Sequence, residues 1–163
     1  MIFNMKKLTI FRCIFYPIVL ITILSGYQDS RFINKYSDVH PELKYYVDKF
    51  VKFSDGVLDA EDLDGLTMGF ADLPKDNKKR TLGRCFLLLN EVEISRNFWN
   101  TASEGQRMYL VFHELGHCTC FIMHKNEELE DGCPSHLMHE EFPEERCIFN
   151  HWDRYVSELY KDC

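Results

Sequence analysis

Between Pro41 and Phe53, apolar residues recur three and four apart at Leu43, Tyr46, Val47 and Phe50, with Phe53 next in step. That period predicts an amphipathic helix with this face turned inward. Residues 55–65 lose the period and gather Asp55, Asp59, Asp62 and Asp64 among glycines, which predicts a solvated acidic loop; the spacing matches no EF-hand calcium loop. Shorter apolar runs at 66–73, 81–89 and Glu91–Ser95 read as strands, the last because Val92 and Ile94 alternate with charged neighbours. Residues 75–80, the one notable basic cluster, read as a solvated hairpin turn. From Gln106 to Phe112 the pattern is that of a buried helix running straight into His113, and Thr101-Ala102-Ser103-Glu104 fits a capping box that would start it. Residues 150–160 predict a closing helix with Trp152, Tyr155, Val156 and Leu159 on its apolar side. This order predicts an α+β domain in which a short mixed sheet packs on an N-terminal helix, the helix entering His113 and a C-terminal helix.

That middle helix carries the chemistry. His113-Glu114-Leu115-Gly116-His117 is followed, seven residues on, by His124. Residues four apart share a helix face, so His113 and His117 can aim ring nitrogens at one ion about 2.0–2.1 Å away, with His124 as third ligand. Glu114 lies about 100° round the axis and can face a water in the open coordination position. A bound zinc ion lowers the pKa of that water from about 15.7 towards roughly 7, leaving Glu114 a proton that is already loose. The bland alternative is a pair of polar residues on an amphipathic helix, but the capped, apolar lead-in puts the motif on the helix its chemistry requires.

The segment resembles the metzincin group of zinc proteases, in which a two-histidine helix ends at a turn and a third histidine completes the site. In that group the third histidine follows the second by six residues with a glycine at the turn; here the gap is seven and no glycine lies between His117 and His124. Small secreted bacterial metalloproteases with a His-Glu-Leu-Gly-His-Cys helix and this longer spacing are a closer likeness. Downstream, Gly132-Cys133-Pro134-Ser135-His136-Leu137-Met138-His139 resembles the metzincin methionine turn, which implies Met138 as the floor beneath the metal. His136 and His139 flank it, and either is an alternative third ligand to His124. The likeness further implies an edge strand that binds substrate in extended form, either Glu91–Ser95 or the strand before it; an interior strand with no ligand role is the competing reading. Tyr155 or Tyr160 could stabilise an oxyanion, although both fit the apolar periodicity of a core.

Composition adds the compartment. Lys6 and Lys7 precede an apolar run over residues 13–24, too short for an ordinary membrane span of about 20 residues. Residues 1–26 therefore read as a signal peptide and 27–163 as a single domain; an uncleaved anchor is the alternative, disfavoured by Arg12 and Pro17. Tyr27 stands where a lipoprotein would place its lipidated cysteine. Loss of the leader removes three positive charges and no acidic one, taking the net charge from −7 to −10, which argues against nucleic-acid binding. Of seven cysteines, Cys13 leaves with the leader; Cys85, Cys118, Cys120, Cys133, Cys147 and Cys163 remain, an even set that predicts disulfides. A bridge from Cys118 or Cys120 to Cys133 would tie the motif helix to the methionine turn. Thiolate zinc ligands are the weaker reading, since no Cys-x-x-Cys pair occurs.

The sequence thus leads to an exported zinc metallopeptidase, an endopeptidase before an exopeptidase, located in the periplasm, at the cell surface or in the medium. Zinc sits on His113, His117 and His124, Glu114 is catalytic, the partner is a peptide or protein substrate, and the mature chain has no stable membrane span. Two alternatives stand beside it: a non-catalytic, zinc-stabilised and disulfide-stapled extracellular binding domain, and an adhesion or inhibitor-like domain with a vestigial motif. The intact Glu114 favours the enzyme, because a structural zinc site has no use for that carboxylate.

Overall fold

A computed structural model describes residues 38–74 and 81–163; the expected leader and the basic cluster at 75–80 lie outside the described residues. Helix α1, Pro41–Phe53, starts where His40 Nδ1 accepts the Glu42 N–H and Pro41 occupies the first turn. It buries Leu43, Tyr46, Val47 and Phe50. Phe53, next in the period, remains 41% exposed because the helix ends at Ser54 before that position is covered. In the acidic loop beyond, Asp62 and Asp59 accept the backbone N–H groups of Asp59 and Glu61, so these carboxylates hold the loop's own turns.

Strands β1 (Thr67–Ala71), β2 (Gly83–Phe86) and β3 (Glu91–Ser95) form one sheet in the order β1-β3-β2. β1 runs parallel to β3, with Thr67 opposite Glu91; β2 runs antiparallel to it, with Cys85 opposite Val92. The central strand is therefore β3, with Val92 and Ile94 fully buried; β1 and β2 are the outer strands, and β2 is the edge strand beside α3. β3 thus lies between β1 and β2, which are not neighbours. One expectation changes. The strand read over 81–89 stops at Phe86 and becomes a 3-10 turn, Leu87–Leu89, whose leucines find no apolar surface to cover them and stay exposed.

A four-residue helix α2 (Arg96–Trp99), too short to show a period, leads to α3 (Glu104–Cys118). The capping box of α3 is Ser103 with Gln106, not one begun at Thr101: each side chain accepts the other residue's N–H, while the Thr101 hydroxyl donates to the Asn97 and Phe98 carbonyls of α2. α3 lies at the centre, with β2 and β3 against one side and α1 and α4 (Glu145–Asp162) against others. α4 starts five residues before the expected position because Cys147 and Ile148 pack into the core from its first turns. Phe50 and Phe112 meet edge to face at 5.2 Å, and Tyr109 meets Tyr155 at 5.7 Å, so aromatic pairs join α3 to both neighbouring helices.

Three disulfides close this frame: Cys85–Cys118, Cys120–Cys163 and Cys133–Cys147. No bridge joins Cys118 or Cys120 to Cys133, because Cys118 faces the edge strand, Cys120 meets the end of α4, and Cys133 meets its first turn. Sequence separations of 33, 43 and 14 residues correspond to about 3–4 kcal/mol of unfolded-state restriction each. The result is a small α+β domain of four helices and a three-stranded mixed sheet. Among the described residues, no helix is long and apolar enough to cross a membrane.

Candidate metal centre

His113 and His117 share one face of α3, and His124 reaches the same point from the loop that follows. His117 Nε2 lies 3.2 Å from His113 Nε2 and 3.1 Å from His124 Nε2. The backbone decides what these nitrogens carry. His113 Nδ1 lies 3.0 Å from the Leu137 carbonyl and His117 Nδ1 lies 2.6 Å from the Ile122 carbonyl. A carbonyl only accepts, so both Nδ1 atoms carry hydrogen and both Nε2 atoms present lone pairs. Lone pairs this close repel unless a cation lies between them. A proton is a poor candidate, because burial pushes the His113 pKa down to about 3 and lowers that of His117 as well. The three histidines form a group that can hold a metal ion, and their chemistry fits one.

The methionine-turn histidines are engaged otherwise. His136 Nε2 donates to Asp162 Oδ2 at 2.9 Å, and its Nδ1 accepts the Met138 N–H at 3.0 Å, so it braces the turn. His139 Nδ1 is held by the Glu141 backbone, 3.1 Å from its nitrogen and 3.2 Å from its carbonyl oxygen, and the ring lines the cleft beside the three histidines without joining their group. All six described cysteines are in disulfides, so no thiolate competes as a ligand. That also removes Cys133 from a second cluster, Asp131, Cys133 and His151, whose remaining members are hydrogen-bonded to each other at 2.7 Å.

Two glycines allow this arrangement. A Cβ on Gly116 would meet Met138 Sδ at 2.5 Å and Leu159 Cδ1 at 3.1 Å, so the fully buried Met138 packs directly against the motif helix. A Cβ on Gly83 would meet the Glu114 carboxyl group, Oε1 at 2.6 Å and Cδ at 2.9 Å. The edge strand thus lies across the Glu114 carboxylate, held there by Cys85–Cys118. Gly83 went unnoticed in the sequence; its signal was an isolated glycine inside a strand pattern, which marks a close approach. Glu114 is 5% exposed, and burial raises its pKa to about 8, a high proton affinity for a carboxylate. Neither tyrosine considered for an oxyanion role opens onto this space: the Tyr160 hydroxyl donates to the Phe50 carbonyl, and Tyr155 is fully buried.

The turn joining the second and third histidines departs from the glycine pattern of metzincins in an instructive way. α3 ends at Cys118, the Ile122 N–H bonds back to the Gly116 carbonyl at 3.0 Å, and the bend falls on Phe121 at φ 57°. This left-handed conformation costs a non-glycine residue about 1–2 kcal/mol. The Lys125 N–H then bonds the Met138 carbonyl at 2.9 Å, which ties the segment after His124 to the turn bearing Met138. In front of the histidines opens a cleft of about 690 Å³, with Gly83, Arg84 and Cys85 of β2 on its wall and Leu87, Phe121 and Met123 also lining it. The chain matches no protein-family model, no curated protein and no solved structure, so the chemistry of this centre is argued from its own geometry.

Proposed function

We propose that the domain is an exported zinc peptidase. The observation that carries this reading is the convergence of three imidazole nitrogens beside a buried carboxylate, in a cleft walled by a sheet edge. Three nitrogen donors with room for a further position suit zinc as a catalytic ion, and His113, His117 and His124 would hold it. When bound, zinc supplies a Lewis acid that acidifies water and polarises a carbonyl. Glu114, kept as the carboxylate by the neighbouring cation against the upward push of burial, would take the proton from the attacking water and return it to the departing amine. β2 offers its outer backbone edge to an extended peptide, and Gly83 lets that peptide pass close to Glu114. Three disulfides fit an oxidising compartment outside the cytosol.

Elemental analysis of the purified protein, paired with cleavage of a mixed peptide library by wild type and Glu114→Gln, tests the reading. The expected result is one zinc per chain in both proteins, with hydrolysis reduced by roughly 10²–10⁴-fold in the variant. Zinc without cleavage in either protein would reject the peptidase in favour of a metal-stabilised binding domain. An absence of zinc under replete conditions would reject both.

A further inference from the structure

The backbone around Phe121 is dictated by the metal centre. The Ile122 carbonyl accepts the His117 Nδ1–H, and the Ile122 N–H bonds the Gly116 carbonyl, so residue 121 must turn through the left-handed region. Glycine would satisfy that geometry without strain. The chain instead places phenylalanine there and leaves 71% of it exposed, so burial of the ring does little to offset the strain. The fold accounts for the backbone at this position and not for the side chain. Two further apolar residues share the exposure and the cleft: Met123, two residues on, at 74%, and Leu87, from the end of the edge strand, at 47%.

Resting on the peptidase reading, we infer that Phe121, with Met123 and Leu87, forms an apolar subsite that selects peptides carrying a large apolar side chain next to the cleaved bond. Each of the three residues lies close in sequence to an element the substrate must meet. Leu87 continues the strand that pairs with the peptide backbone, and Phe121 and Met123 flank Ile122, whose carbonyl orients His117. An extended peptide held along β2 is therefore brought to these side chains, and a leucine or phenylalanine on it covers surface that is otherwise wet.

Phe121→Gly in the full chain gives opposite signs for fold and selectivity. Metal content is expected to be unchanged and Tm equal or higher, since glycine relieves the left-handed strain. Against peptides that differ only in leucine or serine at the positions flanking the cleaved bond, the leucine-to-serine ratio of kcat/KM is expected to fall at least tenfold. Introduced into the Glu114→Gln background, the same change is expected to weaken binding of the uncleaved leucine peptide by a similar factor. An unchanged selectivity ratio, an equal loss for both peptides or a lowered Tm would overturn the inference while leaving the peptidase standing. A wild type that binds zinc and cleaves neither peptide would overturn both.

Discussion

The floor of the cleft and its rim are built on opposite terms. At the floor, His113 and Glu114 are buried with Gly116 and Met138 packed behind them, two of the three imidazole rings are fixed by backbone carbonyls, and two glycines stand where a methyl group would displace a neighbour. At the rim, Leu87, Phe121 and Met123 are apolar and wet, and one of them sits on strained backbone. Fixed geometry belongs where charge is handled, because a small displacement there costs rate. Exposed apolar surface belongs where a ligand completes the burial.

Substitutions can break this contrast, and the largest effect on the fold is expected from the floor. Gly116→Ala would ordinarily regain about 1 kcal/mol of helix propensity. Here the new methyl meets Met138 and Leu159 in a full core, where overpacking costs about 1–3 kcal/mol. The sign should reverse, and thermal unfolding should show Tm lowered by a few degrees. Gly83→Ala should act on chemistry before stability: the methyl pushes the Glu114 carboxyl aside, so kcat/KM falls by on the order of tenfold or more with metal content unchanged. The smallest effect lies behind the methionine turn. Lys125 and His136 both bond the Asp162 carboxylate, and the Lys125 bond leads in holding its pKa below the ordinary value. A depressed carboxylate stabilises the fold above its unfolded pKa, near 4, and that support is lost as pH falls through the folded value. Asp162→Asn should therefore cost at most about 1 kcal/mol at neutral pH, reduced further by solvent screening, and should flatten the acid limb of a stability-against-pH curve.

How much of this was legible beforehand depends on whether the deciding contact is local. The Leu43–Phe50 face of α1, both ends of β3 and the shared face of His113 and His117 follow from periods of 3.6 and 2, so the sequence contains them directly. His124 is separable from His136 and His139 only in three dimensions: its ring joins the other two, whereas both nitrogens of His136 are engaged by Asp162 and Met138 and His139 lies outside the group. Spacing across a loop does not specify direction. Gly83 and Gly116 illustrate the same limit, since a glycine announces a close approach without naming the atom that approaches. The cysteine pairing is likewise non-local: Cys118 and Cys120 lie two residues apart, yet one bonds Cys85 in β2 and the other Cys163 after α4.

Those two bridges leave the segment between His117 and His124 anchored at Cys118 and again at Cys120, while the third anchors the turn bearing Met138 through Cys133. Every loop that completes the ligand set is thus moored by a covalent bond that forms only under oxidising conditions. On the proposed reading, assembly would acquire an order in time: sulfur chemistry first, metal second. A chain still reduced lacks the covalent moorings that hold its third histidine and β2 against the helix, so oxidation and completion of the site would go together.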